Sequence, residues 1–148
     1  MNSIIIHGNA MVINNKGVLI IGPTGSGKSE LCLKLLDRGH QLIADDAVEI
    51  KHSSTQTTLH CLPEIYKKIQ IYELGLINLE KQYQAKQFRK SHTLDYAIRL
   101  NPEKKTHDNN NLLTPNWQIY SINNELTVSC LEISDCQQRD LSLLLPLL

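Results

Sequence analysis

Residues 17–46 read Gly17-Val18-Leu19-Ile20-Ile21-Gly22-Pro23-Thr24-Gly25-Ser26-Gly27-Lys28-Ser29-Glu30-Leu31-Cys32-Leu33-Lys34-Leu35-Leu36-Asp37-Arg38-Gly39-His40-Gln41-Leu42-Ile43-Ala44-Asp45-Asp46. Within them Gly22, Pro23, Thr24, Gly25, Ser26, Gly27, Lys28 and Ser29 match G-x-x-x-x-G-K-[ST], the phosphate-binding loop pattern. Glycines let the backbone curl so that several N–H groups point at phosphate oxygens. The lysine adds a positive charge near the β- and γ-phosphates, and the serine hydroxyl is a hard oxygen suited to Mg²⁺. Val18–Ile21 before the loop is a short apolar run that reads as a buried strand. Leu31, Cys32, Leu35 and Leu36 after it recur at helical spacing, with Arg38 in the last turn and Gly39 as a C′ stop. Strand, glycine-rich turn and helix N-terminus together make an anion site.

Working outward, the chain opens with strands in close succession, not with a β-α-β unit. Ser3–His7 and Ala10–Asn14 are apolar segments split by Gly8-Asn9, and Asn14-Asn15-Lys16-Gly17 is a turn signal. Gln41–Ala44 reads as a strand ending at Asp45-Asp46, Ala47–Ile50 continues extended, and Thr57–Leu62 returns as a second hairpin arm. Pro63–Lys68 suits a short helix with proline in its first turn, Leu74–Asn78 a loop or a strand, and Thr93–Leu100 a strand. Asn101–Asn116 is the most loop-like stretch. Trp117–Ile122 and Leu126–Ile133 read as a hairpin, and Ser134-Asp135 as the start of a C-terminal helix running to about Leu145. The closing segment Leu141–Leu148 is too apolar for a free tail. It predicts burial in the core or against another subunit, and so self-association.

The 148 residues suit a single domain, 1–148, and their 15 basic and 15 acidic side chains balance. That balance offers no electrostatic argument for a nucleic-acid or membrane partner. No apolar run approaches membrane-spanning length, and the N-terminus lacks the basic start of a secretory leader, so a cytoplasmic protein is expected. Cys32, Cys61, Cys130 and Cys136 have no C-x-x-C spacing and read as structural thiols; His40, His52, His60, His92 and His107 have no metal-ligand spacing. Lys81–Lys90 carries Lys81, Lys86, Arg89 and Lys90 with Tyr83 and Phe88 between them. A solvated basic face is the plain reading, and a docking patch for an acidic partner or a phosphate the sharper one.

A phosphate loop alone implies nucleotide binding, not phosphoryl transfer. The second chemical part is Asp45-Asp46 at the C-terminal end of a strand, the end outside which ligands bind in sheets flanked by helices. Adjacent carboxylates repel unless a cation or a base relieves them. One can bind Mg²⁺, directly or through water, while the other accepts a proton from an attacking hydroxyl. His7 is the third part: a lone histidine beside glycine is usually a polar strand end, yet it can relay protons near neutral pH.

Together these parts resemble the catalytic domain of HPr kinase/phosphorylase, a bacterial enzyme that phosphorylates a serine of the phosphocarrier HPr and can remove the phosphate by phosphorolysis. The resemblance runs from about His7 to Asn78, and Arg38-Gly39-His40-Gln41-Leu42-Ile43-Ala44-Asp45-Asp46 after a phosphate loop is its most specific run. It implies an α/β P-loop fold related to phosphoenolpyruvate carboxykinase, a mixed twisted sheet with flanking helices. It implies ATP and Mg²⁺ as cofactors, HPr as the protein substrate, and homo-oligomers, commonly hexamers. It places the catalytic histidine on His7, the phosphate-polarising lysine on Lys28, the Mg²⁺ ligands on Ser29 and Asp45, and the general base on the Asp45-Asp46 pair, with Asp46 favoured.

Downstream the pattern departs from the family. Where the family has L-E-I-R-G-L-G-I-I-[ND], this chain has Ile69-Gln70-Ile71-Tyr72-Glu73-Leu74-Gly75-Leu76-Ile77-Asn78. The metal-binding glutamate becomes Gln70, a neutral and weaker Mg²⁺ ligand. The arginine becomes Tyr72 and the first glycine becomes Glu73. The later catalytic arginine and the Gly-Arg-Asn loop tied to phosphorolysis have no counterpart in 109–111 or 115–133. One positive group in such a site contributes on the order of 10³–10⁵ in rate in arginine-finger systems, so the expectation is a serine kinase with the phosphorylase direction weakened. A nucleotide-binding regulatory module without turnover, or another P-loop small-molecule kinase, is the alternative.

Overall fold

Asn14 and Asn15 both take positive φ, 52° and 64°, the two-residue turn whose twist matches an antiparallel hairpin. Strands β2 (Asn9–Ile13) and β3 (Lys16–Ile21) therefore pair with Ala10 opposite Leu19. This computed structural model describes residues 2–102, 117–134 and 140–148. Around the hairpin lie β1 (Asn2–His7), helix α1 (Lys28–Asp37), β4 (Gln41–Ala44), β5 (Ala47–His52) and β6 (Thr57–His60). After them come β7 (Lys68–Ile71), β8 (Gly75–Asn78), β9 (Ser91–Asn101), β10 (Trp117–Asn123), β11 (Leu126–Ser134) and helix α2 (Leu141–Leu144).

The organising element is β9, 11 residues long. Its first residues pair antiparallel with β6 (Thr58 opposite Thr93), its middle runs parallel to β3 (Leu19 opposite Ala97), and its end runs parallel to β11 (Leu100 opposite Ile133). One strand thus joins a β1–β5–β6 wing to the β4–β2–β3 and β11–β10 parts of a mixed sheet. The close approach of β3 to β9 requires Gly17, because a Cβ there would lie 1.8 Å from the Thr93 carbonyl oxygen. Strand alternation sends Met11, Val18, Ile20, Tyr96 and Ile98 to one core with Leu31, Leu35 and Leu36 of α1. Ala10, Val12, Leu19 and Ala97 face a second core with Val48, Ile50 and Leu59 of the wing. Among the described residues both helices contribute to the first core. The second core is covered instead by the β1, β5 and β6 wing.

Helix α1 ends as its sequence indicates. His40 N–H donates to Leu35 O (3.0 Å) and Gly39 N–H to Leu36 O (2.9 Å), around Gly39 at φ 91°, a Schellman cap. Pro63–Lys68 differs from expectation: a 3₁₀ turn covers only Pro63–Ile65, Lys67 turns at φ 64°, and β7 begins at Lys68. Leu74–Asn78 resolves as β8, the partner of β7. The C-terminal helix is shorter than expected. Its proposed start at Asp135 lies outside the described residues, and α2 is capped by Asp140, whose carboxylate accepts from Ser142 N–H at 3.1 Å. Pro146 cannot continue an α-helix, so the chain closes in a 3₁₀ turn at Leu145–Leu147. Leu141 and Leu145 enter the α1 core and Arg38 Nε donates to Ser142 Oγ (2.9 Å), while Leu143 and Leu147 stay exposed. Most of Asn101–Asn116, with His107, and Cys136 lie outside the described residues; Cys32, Cys61 and Cys130 are free thiols.

Candidate active site

The loop from Gly22 to Gly27 carries the chain from β3 to α1. Ser26 N–H donates to Pro23 O (3.1 Å), and Gly27 at φ 95° begins the helix with no side chain capping it. The first N–H groups of a helix have no partner within it. Here they open on the loop, which is the geometry that receives a phosphate. Lys28 is nearly buried, and its ammonium donates to the Gly22 and Pro23 carbonyls at 2.8 and 3.1 Å. Burial lowers its pKa, and the charges of Asp46 and then Asp45 act in the opposite sense.

The two aspartates, adjacent in sequence, part at the end of β4. Asp45 is buried: it accepts from Ser29 Oγ at 2.7 Å, from the backbone N–H of Gln70 at 2.6 Å, and from Asn9 Nδ2. Burial raises its pKa, and these three donors pull it back. Asp46 turns outward at φ 69°, and Ala47 N–H donates across it to Asp45 O (2.8 Å), a tight and strained turn. The register of β1 with β5 sets His7 opposite Ala47, and His7 Nδ1 lies 3.2 Å from Asp46 Oδ1, with the two side chains 51% and 60% exposed. The fold therefore gathers Lys28, Ser29, Asp45, Asp46 and His7 at one sheet end. One carboxylate is fixed inside on the loop serine and one is free to meet solvent.

The Gln70 main chain touches Asp45, while the residue itself is exposed on the β7–β8 hairpin. Glu73 forms the turn of that hairpin at φ 69°. Sequence reasoning passed over Asn9, which is fully buried and bonded to the acidic pair. A polar residue at the head of the apolar run of β2, directly after His7-Gly8, was the available signal. Among the described residues no cluster of three or more His, Cys, Asp or Glu could hold a metal alone. The donor set, a serine hydroxyl against a buried carboxylate, instead fits Mg²⁺, which keeps waters and phosphate oxygens and takes few protein ligands.

A family model described as the HPr Serine kinase C-terminal domain matches residues 1–145. This chain belongs to that family. The HPr kinase match extends past Asn78, where the motifs end, across β9, β10 and β11. The chain is 40% identical over 98 residues to the HPr kinase/phosphorylase of Caldanaerobacter subterraneus, covering 66% of this chain and 32% of that protein. It is 40% identical over 106 residues to the enzyme of the same name from Bacillus licheniformis, covering 70% and 34%. It thus spans about a third of the length of these curated relatives. The solved structure of the Hpr(Ser) kinase/phosphatase from Coxiella burnetii superposes with a TM-score of 0.82 at 30% identity, covering 96% of this chain and 91% of that one. The fold is that of the HPr kinase catalytic domain, a P-loop α/β sheet with few helices. No helix among the described residues is long and apolar enough to cross a membrane.

Proposed function

We propose that this chain is a protein serine kinase that uses ATP and Mg²⁺ to phosphorylate a serine of the phosphocarrier HPr. The observation that carries the reading is the separation of the two carboxylates. Asp45 is held on Ser29 Oγ at 2.7 Å, while Asp46 stands exposed beside His7. The loop amides and Lys28 bind the β- and γ-phosphates, and Ser29 with Asp45 would hold the metal, Asp45 directly or through water. Mg²⁺ supplies charge neutralisation on the phosphates. Asp46, oriented by His7, takes the proton of the acceptor hydroxyl. The serine oxygen then bonds to the γ-phosphorus as the bond to ADP breaks. Gln70, which stands where the family pattern has a glutamate, would contribute a weaker metal contact.

The working unit is one domain that self-associates through its exposed apolar positions, Leu143 and Leu147 among them, in a cytoplasmic homo-oligomer; the family suggests a hexamer. A second reading, a nucleotide-binding module without turnover, is favoured by the uncharged side chain at Gln70. Transfer of label from ATP to purified HPr separates the two. Label on HPr that vanishes with Asp46→Ala supports the kinase, and tight ATP binding with no transfer to HPr supports the binding module.

A further inference from the structure

Strand β2 begins with a polar side chain inside the protein. Asn9 is 0% exposed, and burying an amide is costly unless its donors and acceptor are met. Each is met by a specific group. Nδ2 donates to Asp45 Oδ1 and to Cys32 Sγ (3.3 Å), and Oδ1 accepts the backbone N–H of Asp46 (3.2 Å). The amide has one usable orientation. Flipped, its NH₂ would face the Asp46 N–H and its oxygen would face the Asp45 carboxylate, donor on donor and acceptor on acceptor.

Its neighbour completes a clamp. Gly8 N–H donates to Asp46 O at 3.2 Å, so the backbone N–H and C=O of Asp46 are held by Asn9 and Gly8. Asp46 needs such a hold because a non-glycine residue at φ 69° persists only where its surroundings over-determine it. A leucine at position 9 would leave the Asp46 N–H unmet. An aspartate would set a carboxylate against Asp45, and a serine is too short to span both.

We propose that Asn9 is the positioning residue of this site: its carboxamide keeps Asp45 turned in toward Ser29 and Asp46 turned out beside His7. The effect on turnover rests on the kinase reading above; the effect on geometry does not. The test compares wild type, Asn9→Ala, Asn9→Asp and Met11→Ala, the last a fully buried position on the same strand that packs in the α1 core. Hydrogen exchange at the Asp46 amide is followed by NMR, and label transfer from Mg·ATP to HPr gives kcat and KM. In Asn9→Ala the Asp46 amide exchanges about tenfold faster relative to Val18 and Ile20. Its kcat falls on the order of 10²-fold, with the KM for ATP within about threefold of wild type. Asn9→Asp, close in shape, keeps the Asp46 acceptor: protection stays and kcat still falls. Met11→Ala loses thermal stability and keeps both Asp46 protection and kcat.

Unchanged Asp46 protection in Asn9→Ala overturns the proposal, as does an equal loss of kcat in Met11→Ala. Should Asn9→Ala not fold, Asn9→Asp decides, and wild-type kcat in that variant counts against the proposal. If wild type transfers no label, the kinase reading fails, and the exchange measurement still decides the role of Asn9.

Discussion

Replacing Asp45 by asparagine keeps the shape of the side chain and removes its charge. Asp45 Oδ1 accepts from Ser29 Oγ (2.7 Å) and Asn9, and Oδ2 accepts from the Gln70 N–H (2.6 Å). Asparagine has one acceptor oxygen, so one side of the site then meets an NH₂ group. A hydrogen bond to a charged group contributes about 1.5–3 kcal/mol. Its loss is offset by no longer burying a charge, the same burial that raises the Asp45 pKa. The stability of the ligand-free protein therefore changes by no more than about 2 kcal/mol.

The pH dependence has a definite sign. Because the folded pKa of Asp45 lies above the ordinary 3.8, its contribution to stability is fully present below that value and is lost as pH rises through the folded pKa. Asp45→Asn removes this dependence. Its stability relative to wild type improves as pH rises from 3.8 through the folded pKa of Asp45, in paired melts.

Ligand separates the two proteins. At about 100 times its Kd, Mg·ATP stabilises wild type by about 2.7 kcal/mol, roughly 5–10 °C in Tm for a chain of this size. The assay is thermal unfolding with a non-hydrolysable ATP analogue in Mg²⁺ or in EDTA. Wild type gains more in Mg²⁺ than in EDTA, whereas Asp45→Asn gains the same small increment in both. A full Mg²⁺-dependent increment in Asp45→Asn refutes the assignment of Asp45 to the metal.

Other perturbations follow from the same contacts. Gly39→Ala puts a Cβ at φ 91° in open space, so only backbone strain opposes it. Stability falls by about 1–2 kcal/mol, read as a lower Tm with unchanged nucleotide affinity. Cys32 is completely buried and its pKa is pushed up to about 12. At pH 8 its thiolate fraction is about 10⁻⁴, so iodoacetamide labels it only after denaturation, as mass spectrometry of the native and unfolded protein would read. Gln70→Glu adds a carboxylate on the residue whose N–H holds Asp45. The Mg²⁺ concentration for half-maximal label transfer then drops about tenfold in a metal titration.

The elements nearest the phosphate loop were legible because each carries its own local chemistry. Val18–Ile21, the α1 stripe of Leu31, Cys32, Leu35 and Leu36, and the Gly39 stop all stand where the residues put them. Asp45-Asp46 was legible as an acidic pair at a strand end, but not as one buried and one exposed carboxylate. That division depends on Asn9 and Gln70, which reach it from β2 and β7. The β1–β5–β6 wing covering the second core was hidden as well, because its pairing through β9 joins residues far apart in sequence. Pattern within a strand fixes which side is buried, not what covers it. The end of α2 before Pro146 stands close to the expected Leu145, whereas its start is set by the Asp140 cap, which the leucine run obscured.

A crystal structure with Mg²⁺ and a non-hydrolysable ATP analogue tests the central claim most directly. With Ser29 and Asp45 as the residues that would hold Mg²⁺, the metal is expected on Ser29 Oγ and close to Asp45, with the Asp46 carboxylate facing the γ-phosphate beside His7. A metal bound away from Ser29 and Asp45, or an Asp46 side chain turned from the γ-phosphate, contradicts it.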